Sequence, residues 1–214
     1  KGYYLLGEAN YQLGNFALAR KNYQIVYEEF PNESIAPDAM EAVGWTFFQE
    51  KRYAQAAEIF QSVILKYPKG QNLDSAWFRL ALTRKLADNI AGAIEAYHEI
   101  TQNHPNSEYA PKSLYEIGMI AYDRGRYDEA ADSFQQIATR YPQSDIKAQA
   151  LTMYGQSVVE NGDYRAALIA FTEVTDSHRE DDSYPVALYQ RSFCEFKLDR
   201  FEDASNAADA FLKA

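Results

Sequence analysis

The chain has one cysteine, Cys194, in 214 residues. A lone thiol excludes an intrachain disulfide, so packing alone must hold the fold. That suits a reducing compartment, and equally an envelope protein that needs no staple. Histidine is scarce. His98, His104 and His178 stand far apart and lack metal-ligand spacing. There is no HExxH, no CxxC and no Gly-rich phosphate loop. The acidic stretch Glu180-Asp181-Asp182 lacks calcium-loop spacing and reads as a solvated turn. No catalytic residue, metal or cofactor is therefore expected. No apolar run approaches the roughly 20 residues that cross a bilayer. No signal peptide is present, and Lys1 falls inside a helical pattern without an initiator Met, so a fragment of a longer protein is expected. Lys and Arg number 21 against 31 Asp and Glu, a net charge of −10, with no block of one sign. Such a surface is wrong for nucleic acid, whose binding is mostly phosphate neutralisation.

Aromatic residues and a period are plentiful. There are 17 Tyr and 12 Phe. Gly7, Gly44, Ala81, Gly118, Gly155 and Ser192 stand 37 apart. Ala19, Ala56, Ala93, Ala130, Ala167 and Ala204 keep the same step, each twelve residues after its small partner. An unbroken period of this size predicts a helix–turn–helix unit stacked six times, with no strands. The six units run 1–31, 32–68, 69–105, 106–142, 143–179 and 180–214. A Gly inside a helix costs ~1 kcal/mol against Ala, so its recurrence implies close approach of a second helix, with the Ala as the matching contact. Phe16, Tyr53, Ile90, Tyr127, Tyr164 and Phe201 are expected to start the second helices. Val26, Val63, Ile100, Ile137, Val174 and Phe211 lie further along the same face. Cys194 shares its repeat position with Ala9, Thr46, Thr83, Ile120 and Ser157, which makes it a small packed residue. Between the paired helices stand Gly14-Asn15, Lys51-Arg52, Asp88-Asn89, Gly125-Arg126, Gly162-Asp163 and Asp199-Arg200, where Gly and Asn are expected to supply a left-handed turn.

Trp77-x2-Leu80-Ala81, then Ala93-x3-Tyr97, then Pro105 resembles the tetratricopeptide pattern, W-x2-L-G-x2-Y, A-x3-F, P. The other units agree with Ala19-x3-Tyr23-x7-Pro31, Ala56-x3-Phe60-x7-Pro68, Ala130-x3-Phe134-x7-Pro142 and Ala167-x3-Phe171. The fifth has Arg179 for Pro, and the sixth has Ala208 for the aromatic. The resemblance implies an all-α, right-handed superhelical solenoid, a single domain over 1–214. The three residues beyond the usual 34 fall after the Pro, in Phe30-Pro31-Asn32-Glu33-Ser34, His104-Pro105-Asn106-Ser107 and Tyr141-Pro142-Gln143-Ser144. The Ser is expected to N-cap a first helix longer by a turn, with Pro37 and Pro111 in its first turn. This aromatic-Pro-x-Ser linker, from which Lys69-Gly70 departs, resembles a bacterial cell-envelope subgroup of tetratricopeptide proteins, periplasmic or associated with the outer membrane. That subgroup includes the Tol–Pal coordinator and the outer-membrane assembly lipoprotein.

Tetratricopeptide stacks line their concave side with first helices, which implies a binding face there. A second stripe on these helices, spaced i, i+4, i+7, is Tyr4, Glu8, Tyr11; Glu41, Trp45, Phe48; Phe78, Leu82, Lys85; Tyr115, Met119, Tyr122; Thr152, Gln156, Val159; and Tyr189, Phe193, Phe196. Helices apolar on two faces bury one in the core and the other against something else. One reading is an aromatic groove for an amphipathic helix or extended peptide of a protein partner. The other packs the stripe against neighbouring first helices. Family members that clamp a C-terminal carboxylate carry Lys, Asn and Arg here; Tyr4, Glu8, Trp45, Phe78 and Leu82 do not match. The leading function is a non-catalytic interaction scaffold. An envelope adaptor, the regulatory array of an enzyme and self-association through uncapped ends are the rivals. The chain stops at Ala214 before a terminal Pro, although Ser205, Asn206 and Asp209 make the last helix polar.

Overall fold

A computed structural model describes residues 1–70 and 72–213; the stop at Ala214 lies outside the described residues. They form twelve α-helices and no strand. These are α1 (Gly2–Gln12), α2 (Phe16–Glu29), α3 (Ala36–Gln49), α4 (Tyr53–Lys66), α5 (Leu73–Leu86), α6 (Ile90–Asn103), α7 (Tyr109–Asp123), α8 (Tyr127–Arg140), α9 (Lys147–Glu160), α10 (Tyr164–Ser177), α11 (Tyr184–Lys197) and α12 (Phe201–Phe211). All six second helices begin on the residue that the period marks. The helices fall into two compact units, Lys1–Ala110 and Pro111–Ala214. In the first, α1 to α6 each pack on the next helix in sequence. In the second, α8 to α12 do the same, and the first helices α9 and α11 also meet.

In four of the six first helices the small residue is a Gly with a more specific partner than the Ala. A Cβ on Gly7 would stand 2.5 Å from the Tyr23 ring, on Gly44 2.7 Å from Phe60, on Gly118 2.7 Å from Phe134 and on Gly155 2.6 Å from Phe171. Real Cβ atoms do not approach that closely, so each glycine is the seat of an aromatic ring. The ring is borne four residues after the repeated Ala, on the same face of the second helix. The rings are almost wholly buried, as are Ala19, Ala56, Ala93, Ala130 and Ala167. Leu114, Ala121, Ala130, Phe134, Ile137 and Ala150 form one cluster drawn from two adjacent pairs. Cys194 is fully buried beside Glu195, and burial pushes its thiol up to about 12. It packs where the repeat register put it.

The turns correct one expectation. The left-handed residue is the first of each dipeptide: Gly14, Gly125 and Gly162 at φ 75°, 70° and 80°, and Lys51, Asp88 and Asp199 at 59°, 62° and 59°. The next N–H reaches five residues back, as from Asn15 to the Asn10 carbonyl at 2.8 Å, which ties off the helix end. Asn89 is not left-handed. It opens α6, and its side chain accepts a hydrogen bond from the Gly92 N–H. Asp163 does the same for the Ala166 N–H in α10.

The linkers correct another. Ser34 does not cap α3; the residue there is Ile35, and no side-chain cap bond forms. The extra residues form two successive turns instead of a longer helix. In the first linker Glu33 N–H donates to the Phe30 carbonyl at 3.1 Å and Ala36 N–H to Glu33 at 2.9 Å. His104–Ala110, Tyr141–Lys147 and His178–Tyr184 repeat the arrangement. Ser107 Oγ comes nearest to a cap, accepting from the Tyr109 N–H at 3.0 Å. Pro37 does lie in the first turn of α3, where no intrahelical donor is needed.

Ala130 is fully buried where α8 meets α7 and α9. Replacement by Leu should destabilise by ~1–3 kcal/mol through overpacking. A thermal unfolding scan of Ala130→Leu should show a clearly lowered midpoint; an unchanged midpoint would contradict this packing.

Candidate functional site

In the first unit, Tyr4, Glu8 and Tyr11 on α1, Glu41, Trp45 and Phe48 on α3, and Phe78, Leu82 and Lys85 on α5 are all half-buried. Each ring leans on the second helix of its own pair or on the turn after it. Tyr4 meets Tyr23 with centroids 5.6 Å apart, Trp45 meets Phe60 at 5.8 Å and Phe48 at 5.0 Å, and Phe78 meets Tyr97 at 5.7 Å. Tyr11 edges onto Phe16 and Phe48 onto Tyr53, both across the turn. The inner sides of these rings are thus anchored to the core, and the outer sides remain on the surface.

Between α1, α3 and α5 lies an open cleft of about 520 Å³. Five stripe residues line it: Tyr4, Glu8, Tyr11, Glu41 and Trp45. Tyr23, Asp38, Ala42, Gln49, Asn72 and Arg79 complete the wall. Phe48, Phe78, Leu82 and Lys85 are not part of that wall. Arg79 escaped the stripe because it lies one position past Phe78, and Asp38 because it lies one turn before Glu41, upstream of where the stripe was started. Their only signal in the sequence was a charge beside an aromatic column.

In the second unit, Tyr115 rests on Phe134 at 5.4 Å and Tyr122 on Tyr127 at 5.3 Å, with Met119 packed against the same core. All three are half-buried. On α9 the stripe is polar or small, and Thr152 is buried. Tyr189 and Phe196 are exposed and Phe193 half-buried. These three line an apolar pocket of about 470 Å³ with Ser192, Phe201, Ala204, Ser205 and Ala208. Position 208 is where the other units carry their seated ring; with Ala there, Tyr189 turns to Phe211 at 5.7 Å instead.

Three tetratricopeptide-repeat models match the chain, over residues 3–71, 75–107 and 109–180, together most of its length. The chain belongs to the tetratricopeptide-repeat family. No curated protein matches it. Among solved structures, it is similar to the C-terminal part of a TPR repeat-containing protein from Cytophaga hutchinsonii, at 12% identity, 98% of this chain and 78% of that one, and a TM-score of 0.74. A tetratricopeptide repeat protein from Parabacteroides merdae gives 12% identity, 99% and 78% coverage, and a TM-score of 0.67. MamA from Desulfovibrio magneticus gives 16% identity, 84% and 95% coverage, and a TM-score of 0.63. At these identities the likeness establishes the fold. No described helix is long and apolar enough to cross a membrane.

The tetratricopeptide cleft of the first unit is dominated by carboxylates. Glu8 accepts a 2.6 Å hydrogen bond from the Tyr23 hydroxyl. Burial, with Glu8 alongside, pushes the Tyr4 hydroxyl up to about 12 and raises Tyr23 as well. Both phenols therefore remain donors at neutral pH. Arg79 pairs with Glu41 and lays its guanidinium 5.1 Å from the Trp45 ring centre. Burial raises the Glu41 carboxyl; Arg79 offsets part of that rise, and Asp38 adds to it. Asp38 is likewise raised by burial against the pull of Arg79.

Removing Arg79 takes away the positive charge that holds Glu41 down. A carboxyl whose folded value lies above its unfolded value takes up a proton on folding. Its contribution to stability is therefore largest in acid and is lost as pH rises through the raised value. Arg79→Ala should cost about 1–3 kcal/mol at neutral pH. Its deficit should shrink as the pH is lowered through the carboxylate range. Adding Glu41→Gln should reduce that recovery, leaving the smaller part that Asp38 contributes. Midpoints against pH for the three proteins check this, and a deficit independent of pH would contradict it.

Proposed function

We propose that the chain is an interaction scaffold that takes up an amphipathic helix or extended segment of a partner protein on its first-helix aromatic face. Tetratricopeptide repeats imply a protein-binding role without chemistry of its own. The observation that carries the finer reading is the half-burial of the stripe: rings anchored on one side and open on the other, around a cleft of about 520 Å³. Anchored aromatics lose little entropy on binding and are the usual centres of binding energy.

An adaptor between parts of a bacterial envelope is a narrower version of this role, supported by the aromatic-Pro-x-Ser linkers. Self-association is supported by exposed apolar side chains at the start of the chain, Leu5 and Leu6 on α1, Leu13 in the turn after it and Leu18 on α2, and by Phe201 on α12.

Trp45→Ala separates groove from core. Trp45 is half-buried, so truncation should cost less than the ~3–5 kcal/mol of a buried Trp. As the centre of a binding face it should reduce partner recovery at least tenfold, equivalent to ~1.4 kcal/mol or more. Thermal midpoint and pull-down from lysate are measured together. Full retention of capture by the folded variant would contradict the groove.

A further inference from the structure

The cleft of the first unit has more acid than its own base can neutralise. Glu8, Asp38 and Glu41 face one guanidinium, Arg79, inside a wall that also carries Tyr4, Tyr11 and Trp45. A cleft of one sign with low-dielectric walls concentrates its potential at the mouth. The chain as a whole adds to it, at a net −10.

The molecule also shows how it holds a cation. Arg79 lies over Trp45 and pairs with Glu41. On α2, Arg20 lies 4.5 Å from the Phe47 ring centre and bonds Glu50 at 2.9 Å; Arg52 approaches the same ring at 4.7 Å and the same carboxylate at 3.1 Å. In each case a guanidinium sits between an aromatic face and a carboxylate, an arrangement that strengthens as water is excluded. On α1, Tyr4 and Tyr11 with Glu8 offer the same two components, and Asp38 on α3 adds a third carboxylate to the same wall.

We propose that the cleft between α1, α3 and α5 seats a Lys or Arg side chain of the bound segment, so that the partner presents a basic amphipathic peptide. The proposal rests on the groove reading above. An acidic segment would meet like charge. A purely apolar one would strip water from Glu8 and Asp38 and give nothing in return.

The test uses three acetylated, amidated, fluorescein-labelled helical peptides with the same leucine stripe and with Arg, Gln or Glu at the polar positions. Each is titrated by anisotropy at low and physiological salt. The wild-type chain should bind the Arg peptide at least tenfold more tightly than the Gln peptide, and the Glu peptide most weakly. The preference should narrow with salt. Glu8→Gln with Asp38→Asn should bind the Arg and Gln peptides alike, and Glu8→Gln alone should lose part of the preference. Glu28→Gln with Glu29→Gln removes the same net charge from an exposed part of α2 and should leave the preference intact. Circular dichroism checks the fold of each variant. Equal binding of all three peptides by wild type overturns the proposal and leaves the groove standing. So does a preference that survives in Glu8→Gln with Asp38→Asn, or one lost equally in the α2 variant. Failure of wild type to bind any peptide overturns the groove and the proposal together.

Discussion

An aromatic ring laid on a backbone without a side chain is the contact on which the rest of this structure depends. Tyr23, Phe60, Phe134 and Phe171 each occupy the space that a Cβ on Gly7, Gly44, Gly118 or Gly155 would need. The Gly weakens its own helix by ~1 kcal/mol, and burial of the ring returns more, ~1.5–3 kcal/mol. The exchange fixes the separation and register of the paired helices. It also turns each second helix so that its Ala faces the same core. The seat occurs in four of the six units, and the third keeps a buried ring, Tyr97, opposite Ala81. With its small side committed inward, the first helix leaves its aromatic stripe at the edge of the core.

That leftover stripe makes the candidate site. Its rings lean on the seated rings, as Tyr4 does on Tyr23 and Tyr115 on Phe134. Scaffold and site are therefore one layer apart. In the first unit the stripe is interrupted by Glu8 and Glu41, and Asp38 and Arg79 join them from neighbouring positions. Burial raises Asp38 and Glu41, and the guanidinium on Trp45 restrains that rise. The surface is thus aromatic in shape and acidic in charge. It differs from the Lys, Asn and Arg face that clamps a carboxylate.

Much of the fold was legible because the period is exact. The starts of α2, α4, α6, α8, α10 and α12 were read to the residue, and the Ala series marked five fully buried positions. The ring seat was less legible. Gly and Ala are conspicuous as a series, and the aromatic four residues later looked like one of several bulky core residues. The linkers misled for a local reason: Ser beside Pro resembles a cap, whereas backbone turns already satisfy those donors. Asn15 and Asn89 were paired with Gly as left-handed residues, but the left-handed site is one earlier and accepts even Lys51. Most stripe residues are half-buried, but Thr152 is buried and Tyr189 and Phe196 are exposed. The cleft among them was not legible, because Arg79 stands off the stripe and comes to it only when α3 and α5 pack, and Asp38 lies a turn upstream of it.

The sixth unit is the natural test of the seat. It has Ser192 for Gly and Ala208 for the ring, and a pocket of about 470 Å³ opens there. Installing both halves, Ser192→Gly with Ala208→Phe, should rebuild the contact. Denaturant unfolding should then show a stability gain of about 1 kcal/mol, the burial of Phe less the cost of Gly in a helix. Ser192→Gly alone should be destabilising. A double variant no more stable than Ser192→Gly would contradict the claim that the seated ring holds each helix pair together.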